Sequence, residues 1–384
     1  MSRRIVAIIL LCKCLAVSTL AQVNYAHVSQ SWNTNKSKHR IPFYDIKSIL
    51  PRDAIQPIYQ PAFWNKREAE GKYKPEEPVV IVQIGNMIKA YPLGVLSYRN
   101  VVVDKLAGTP ILVTYCPLSH SIMVFDRKVE HDGRSSELKF GTSGMLRKSN
   151  TVLWDHQTES WWQQLTGECL VGEYAGAQLK ALPYSLATYG EFIEQNPFGR
   201  VLEKSQEVHF PYSLSPYYGY DNPEKVKPVF FDGYPSQRLP SMERVIHFNM
   251  HGKEFAYPYR EIASRGVLND MPGDNFVVLF FNEEVVSTLD EKLITESKKS
   301  GAINVFSTFN EGNPLTFRKE GKRFIDNETQ SVWSNTGRCL EGDLKGKQLK
   351  PVVSGTHFAF ALLALIPECH IYGETEVENN INPK

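Results

Sequence analysis

A surplus of charge of either sign is the first thing this 384-residue sequence lacks: 43 basic residues stand against 42 acidic ones, for a net charge of +1. With no basic run or face there is no field to gather a polyanion, so nucleic-acid binding is set aside. Cysteine is scarce as well, six in all, which excludes a disulfide-held scaffold. No apolar run reaches the about 20 residues that a membrane-crossing helix needs. Also missing are a glycine-rich phosphate loop, a Gly-x-Ser-x-Gly elbow and a His-Glu-x-x-His helix. What remains, at 42% hydrophobic and 22% charged residues, is an ordinary globular composition, long enough for two domains with their own cores.

The N-terminus reads as an export signal. Arg3 and Arg4 precede the apolar run Ile5 to Leu11, followed by Cys12, Lys13, Cys14 and Leu15 to Val17. Small residues at Thr19 and Ala21 place cleavage after Ala21. Lys13 is a charge in the apolar core, and the alternative to a cleaved signal is an N-terminal membrane anchor. The short run favours cleavage, and with it a periplasmic or secreted protein. Cys116, Cys169, Cys339 and Cys369 would then remain, to form two bridges, one or none.

The sequence repeats itself. Lys89-Ala90-Tyr91-Pro92 returns as Phe255-Ala256-Tyr257-Pro258, and Asp155 to Ser160 faces Asp326 to Ser331. Trp162 matches Trp333, Cys169 matches Cys339, and Gly176 to Lys180 matches Gly346 to Lys350. A period this long is a duplicated domain rather than a solenoid. The resulting division is a signal at 1–21, an N-terminal arm at 22–75, a first module at 76–202, a Pro- and Tyr-rich linker at 203–242, a second module at 243–373 and a polar tail at 374–384. Within each module, short β-branched or aromatic runs bounded by Pro, Gly or Asp predict strands, as at Val79 to Ile84, Ile111 to Tyr115 and Ile122 to Phe125. Helical periodicity is confined to Leu93 to Arg99, Thr188 to Gln195 and Phe358 to Leu365. The predicted class is α+β, mostly β: two duplicated modules of short antiparallel strands with few short helices.

Residues kept in both copies are expected to serve the fold. The Asp-x-x-Thr-x-Ser-x-Trp pattern is shared, so Asp155 and Asp326 are read as turn-capping carboxylates. Cys116 is unshared: Asn282 stands opposite it in the second copy. The segment Tyr115-Cys116-Pro117-Leu118-Ser119-His120-Ser121 ends a strand in a tight turn fixed by Pro117. Turn amides and an imidazole beside a thiol lower its pKa and favour the thiolate nucleophile. The catalytic candidates are therefore Cys116, with Ser119 donating a hydrogen bond to the thiolate and His120 as base. Tyr115, Ser121, Gly141, Ser143 and Trp161 are the candidate walls of a substrate site. Cys116 and His120 also form half of a soft-metal site for copper or zinc. The bland reading is a buried thiol, or half of a bridge to Cys369.

These motifs resemble the family catalogued as domain of unknown function 3179. The resemblance runs through Asp53 to Phe63, Thr114-Tyr115-Cys116-Pro117-Leu118, Phe125-Asp126-Arg127, Phe140 to Gly144 and Asp155 to Trp162. It implies an exported protein with redox or soft-metal chemistry at a Cys-Pro-Leu-Cys motif, which some members carry with selenocysteine. Cys116 matches the first position. Ser119 departs at the second, and a single thiol cannot close a disulfide within the motif. Thiol redox activity with a thiol or disulfide partner is the expectation, and its competitor is a non-catalytic protein binding a metal or a small molecule between the modules.

Overall fold

The computed structural model describes residues 31–204, 210–222, 228–310 and 313–374. The signal segment, the start of the arm, parts of the linker and most of the C-terminal tail lie outside these residues. Among the described residues no helix is long and apolar enough to cross a membrane.

The chain is mostly β, and its described residues build several small, largely antiparallel sheets and four short α-helices. Val101–Leu106 pairs with Thr109–Cys116, which contains the expected strand Ile111 to Tyr115, in a hairpin. Ala107 and Gly108 both take positive φ, at 48° and 84°, the twist that a two-residue turn between antiparallel strands favours. Helix Leu93–Arg99 matches its predicted span. Helix Tyr189–Gln195 starts one residue later than predicted because Thr188 is its N-cap and Glu191 completes a capping box. Helix Ala359–Leu365 likewise begins after Phe358. The fourth helix, Tyr259–Ala263, was not expected; its five residues are too few to show a period.

The two halves interlock. An eight-stranded sheet runs from 370–371 through 253–258, 244–250 and 354–358 to 121–126, 109–116 and 101–106, with 180–181 also on 121–126. Strands of the second half thus continue onto strands of the first, at the pair Thr356↔Ile122. Tyr184 wedges beside that joint: its hydroxyl donates to Ile122 O at 3.2 Å and accepts from Thr356 N at 3.0 Å. On the other side, the strand Ser185–Thr188 faces Ala302–Ser307, where Asn304 Oδ1 accepts from Leu186 N and Asn304 Nδ2 donates to Leu186 O, at 2.8 and 3.1 Å. The core follows the same plan. Val80, Leu96, Val113 and Tyr115 pack with Tyr212 of the linker and with Val285 and Ala302 of the second half.

The shared Asp pattern has the same geometry in both places. Thr158 N donates to Asp155 Oδ1 at 2.7 Å and Trp162 Nε1 to Asp155 Oδ2 at 2.9 Å. Thr329 N donates to Asp326 Oδ1 at 2.5 Å and Trp333 Nε1 to Asp326 Oδ2 at 2.8 Å. Each carboxylate ties a turn to a buried indole, which is a structural task. Glu159, where the second pattern has Gln330, instead anchors the arm: it pairs with Arg52 at 3.1 Å and accepts from Asn33 N at 2.7 Å.

Candidate functional site

Cys116 ends its strand in register with Ser121, so Pro117–Ser119 forms a single 3-10 turn between two paired strands. His120 closes that turn in the left-handed region, at φ 48° and ψ 33°, a conformation few non-glycine residues adopt. The turn brings five of the predicted residues together: Tyr115, Cys116, Ser119, His120 and Ser121 are all buried.

Their partners are not the predicted ones. Cys116 is 1% exposed, and its sulfur faces Ser149 O at 3.7 Å. Ser119 Oγ accepts from Asn150 Nδ2 at 2.8 Å. Its role is to hold that amide, so the predicted bond from Ser119 to a thiolate gives way to a tie between turn and hairpin tip. Asn150 in turn donates to Gln164 Oε1, and Gln164 Nε2 donates to Thr114 Oγ1 and Ser121 O. This closed amide network fills the space behind the turn. His120 Nδ1 lies 3.1 Å from Tyr115 Oη, which also meets Thr288 Oγ1 at 2.9 Å. Burial first, and the Arg244 guanidinium second, hold the His120 imidazole well below its ordinary pKa. Arg244 is itself paired with Asp221 at 2.5 Å. Tyr217 and Tyr220 close the other side; burial, then the nearby Cys116, raises both phenols, Tyr217 to about 12.

Gly141, Ser143 and Trp161 do not line this turn. Gly141 lies against the Trp154 indole and Asp53, and Ser143 Oγ donates to Val152 O at the bulge of the Phe140–Arg147 strand. Trp161 packs edge-on to Trp32 under the arm. All three belong to the part of the sheet away from the Ser149–Asn150 tip, because the hairpin presents its tip, not its base, to Cys116. The disulfide and metal alternatives are corrected as well. Cys116, Cys169, Cys339 and Cys369 are buried and unpaired. Among the described residues no three His, Cys, Asp or Glu side chains converge, so Cys116 and His120 lack a third such ligand.

The corresponding strand end of the second half is open. Val277–Asn282 ends at Asn282, and beside it lies a cleft of about 440 Å³ lined by Asn282, Glu191, Glu194, Trp333 and Asn335 among others. Counting back from Asp155 and Asp326, Asn150 corresponds to Gly321; Thr114 corresponds to Phe280. The amide and hydroxyl that engage Gln164 are therefore absent around Asn335. Asn335 is 7% exposed, and neither its Nδ2 nor its Oδ1 has a partner among the described residues. The sequence reading did not single out this cleft because it sought chemistry only at the unshared cysteine. The signal was the loss of Asn150 and Thr114 equivalents beside a retained amide.

A second cleft of about 620 Å³ adjoins it through Gln195 and is lined by Tyr184, Phe198, Arg338 and Gln348. No curated protein and no solved structure matches the chain. A family profile does, over residues 52–369, which spans both strand ends, the linker and the interlocked sheets; the chain belongs to the family described as protein of unknown function DUF3179.

Proposed function

We propose that this protein binds a small amide-bearing molecule, neutral or cationic, in the cleft at the Asn282 strand end, without covalent chemistry. The observation that carries this is the Asn335 side chain, buried with a donor and an acceptor both unsatisfied. Leaving such groups unpaired costs about 1–3 kcal/mol each, and a ligand amide presenting an acceptor and a donor side by side would satisfy both. The cleft volume of about 440 Å³ is in the range of small-molecule sites. The charge around it sets the class. Lys319 pairs with Glu283, Lys322 with Glu284 and Arg323 with Glu341. Glu76, Glu191 and Glu194 remain as excess negative charge in the lining, which opposes a carboxylate ligand and favours an ammonium. Treating the two halves as copies of one module underlies this comparison; the paired Asp–Trp geometry supports it, and the N-terminal segment supports export.

The test is calorimetric titration of the full chain with lysinamide and glycinamide, against free glutamate as the acidic control. Binding of the amides that falls at least about tenfold in Asn335→Leu, the equivalent of about 1.4 kcal/mol, is the expected result. Equal affinity for glutamate, or no effect of the substitution, would overturn it.

Thiol redox at Cys116 is the second reading, favoured by one observation: an unpaired thiol in a turn whose closing residue, His120, holds a strained backbone conformation. Its burial opposes attack by any disulfide or peroxide partner.

A further inference from the structure

A second unsatisfied group lies at the joint of the eight-stranded sheet. His357 is fully buried; its Nδ1 is 2.9 Å from Ser121 Oγ, and its Nε2 has no partner among the described residues. Burial, then His247 and His120, push the imidazole pKa well below its ordinary value, so the ring is neutral. With the proton on Nδ1, donated to Ser121 Oγ, Nε2 carries a free lone pair.

Gly355 packs directly against that nitrogen and against the Met123 sulfur. A Cβ on Gly355 would sit 2.5 Å from His357 Nε2 and 2.6 Å from Met123 Sδ. The two donor atoms are therefore no farther apart than the sum of those distances. First-row metal bonds of about 2.0 Å to imidazole nitrogen and about 2.3 Å to sulfur span a comparable gap. A water fits the site poorly, since it needs two to four polar partners and a thioether sulfur is a weak acceptor.

We propose that His357 Nε2 and Met123 Sδ bind one Cu(I) ion, one donor coming from each half of the chain. A neutral imidazole and a thioether are the donor types that suit Cu(I). Zinc binds poorly to such a pair, since its sites take three or four ligands, usually thiolate, imidazole or carboxylate. The bond between His357 Nδ1 and Ser121 Oγ fixes the orientation of the ring, as outer partners of ligating histidines do. His247 lies beside His357 at 5.8 Å between ring centroids, but its Nε2 is held by Glu254 at 2.7 Å. Ion binding would also tie the second half to the first at Thr356↔Ile122.

The test is anaerobic titration of the full chain with Cu(I) buffered by bicinchoninate, with X-ray absorption of the loaded protein. One Cu(I) per chain, with sulfur and nitrogen neighbours, is expected. Met123→Leu preserves side-chain volume, and Gly355→Ala presses a methyl against both donor atoms without removing either. Each should weaken binding more than about 100-fold, beyond the 10–100-fold of an outer partner, whereas Cys116→Ser should not change it. Failure to retain Cu(I), retention unchanged in both variants, or loss in Cys116→Ser would each overturn the assignment. Amide binding in the Asn335 cleft is a separate readout on the same samples and does not depend on copper.

Discussion

Asn282 Nδ2 donates to Glu191 Oε2 at 2.8 Å, across the contact between the two halves. Glu191 is also the capping-box residue of helix Tyr189–Gln195, where its carboxylate accepts from Thr188 N at 2.9 Å. One carboxylate thus fixes the start of a first-half helix and the strand end of the second half. At the other strand end Cys116 takes the place of Asn282, and the helix Ala359–Leu365 follows Phe358 with no side-chain cap. A thiol there has no carboxylate to meet and turns to Ser149 O instead.

Asn282→Ala removes this bond and the one that Asn282 Oδ1 accepts from Glu284 N at 3.1 Å, so it should lower stability by about 2 kcal/mol, at about 1 kcal/mol for each typical hydrogen bond. Thr188 keeps Glu191 satisfied, so the loss stays near that figure. Urea unfolding followed by tryptophan fluorescence measures it, and a loss above about 3 kcal/mol would show that the bond does more than clamp the helix.

Cysteine labelling distinguishes the two functional readings. All four described cysteines are buried; burial raises Cys169 and Cys369, the latter to about 12. In the native protein at neutral pH, an alkylating reagent should modify none of them within the time that modifies them all in denaturant. Fast native labelling that vanishes in Cys116→Ser would instead restore the thiol to a functional role.

The Asp–Trp units predict matched losses. Asp155→Ala and Asp326→Ala each strand a buried indole N–H and a turn amide, a cost of about 1–3 kcal/mol per unsatisfied group. Chemical unfolding should place the two variants within about 1 kcal/mol of each other, given the near-identical bonds. A difference several times larger would mean that the pattern serves different ends in the two halves.

Much of the frame was legible in the sequence because it is local. The β-branched and aromatic runs and three of the four described helices follow from residues close in the chain. The turn-capping reading of Asp155 and Asp326 came from a motif eight residues long. What could not be read is non-local. Nothing near Thr356 or Ile122 in the chain announces that the second half would extend the first half's sheet. The walls of Cys116 come from Ser149, Tyr217 and Tyr220, while Gly141, Ser143 and Trp161 serve the sheet beneath the arm. The Asn335 cleft was invisible for a related reason: an amide becomes a site only when its partners are removed, and those partners are distant in sequence.

His120 gives the chain a pH dependence whose sign is fixed by burial. Its imidazole is held well below the ordinary value by desolvation and by Arg244, while Tyr115 bonds its Nδ1, Arg244 is neutralised by Asp221, and Phe358 covers its face. In the unfolded chain the same group takes up a proton near pH 6.5. The unfolded state therefore binds more protons below that pH, so this part of the stability is fully present above about 6.5 and declines as the pH falls below it. The slope approaches about 1.4 kcal/mol per pH unit for one such group while the folded ring stays neutral. Unfolding free energies of the parent chain and of His120→Gln, measured from pH 7.5 to 5, should converge as the pH drops, because Gln has no proton to gain. Parallel curves would show that His120 takes up its proton in the folded protein, and that the turn after Cys116 is open to water.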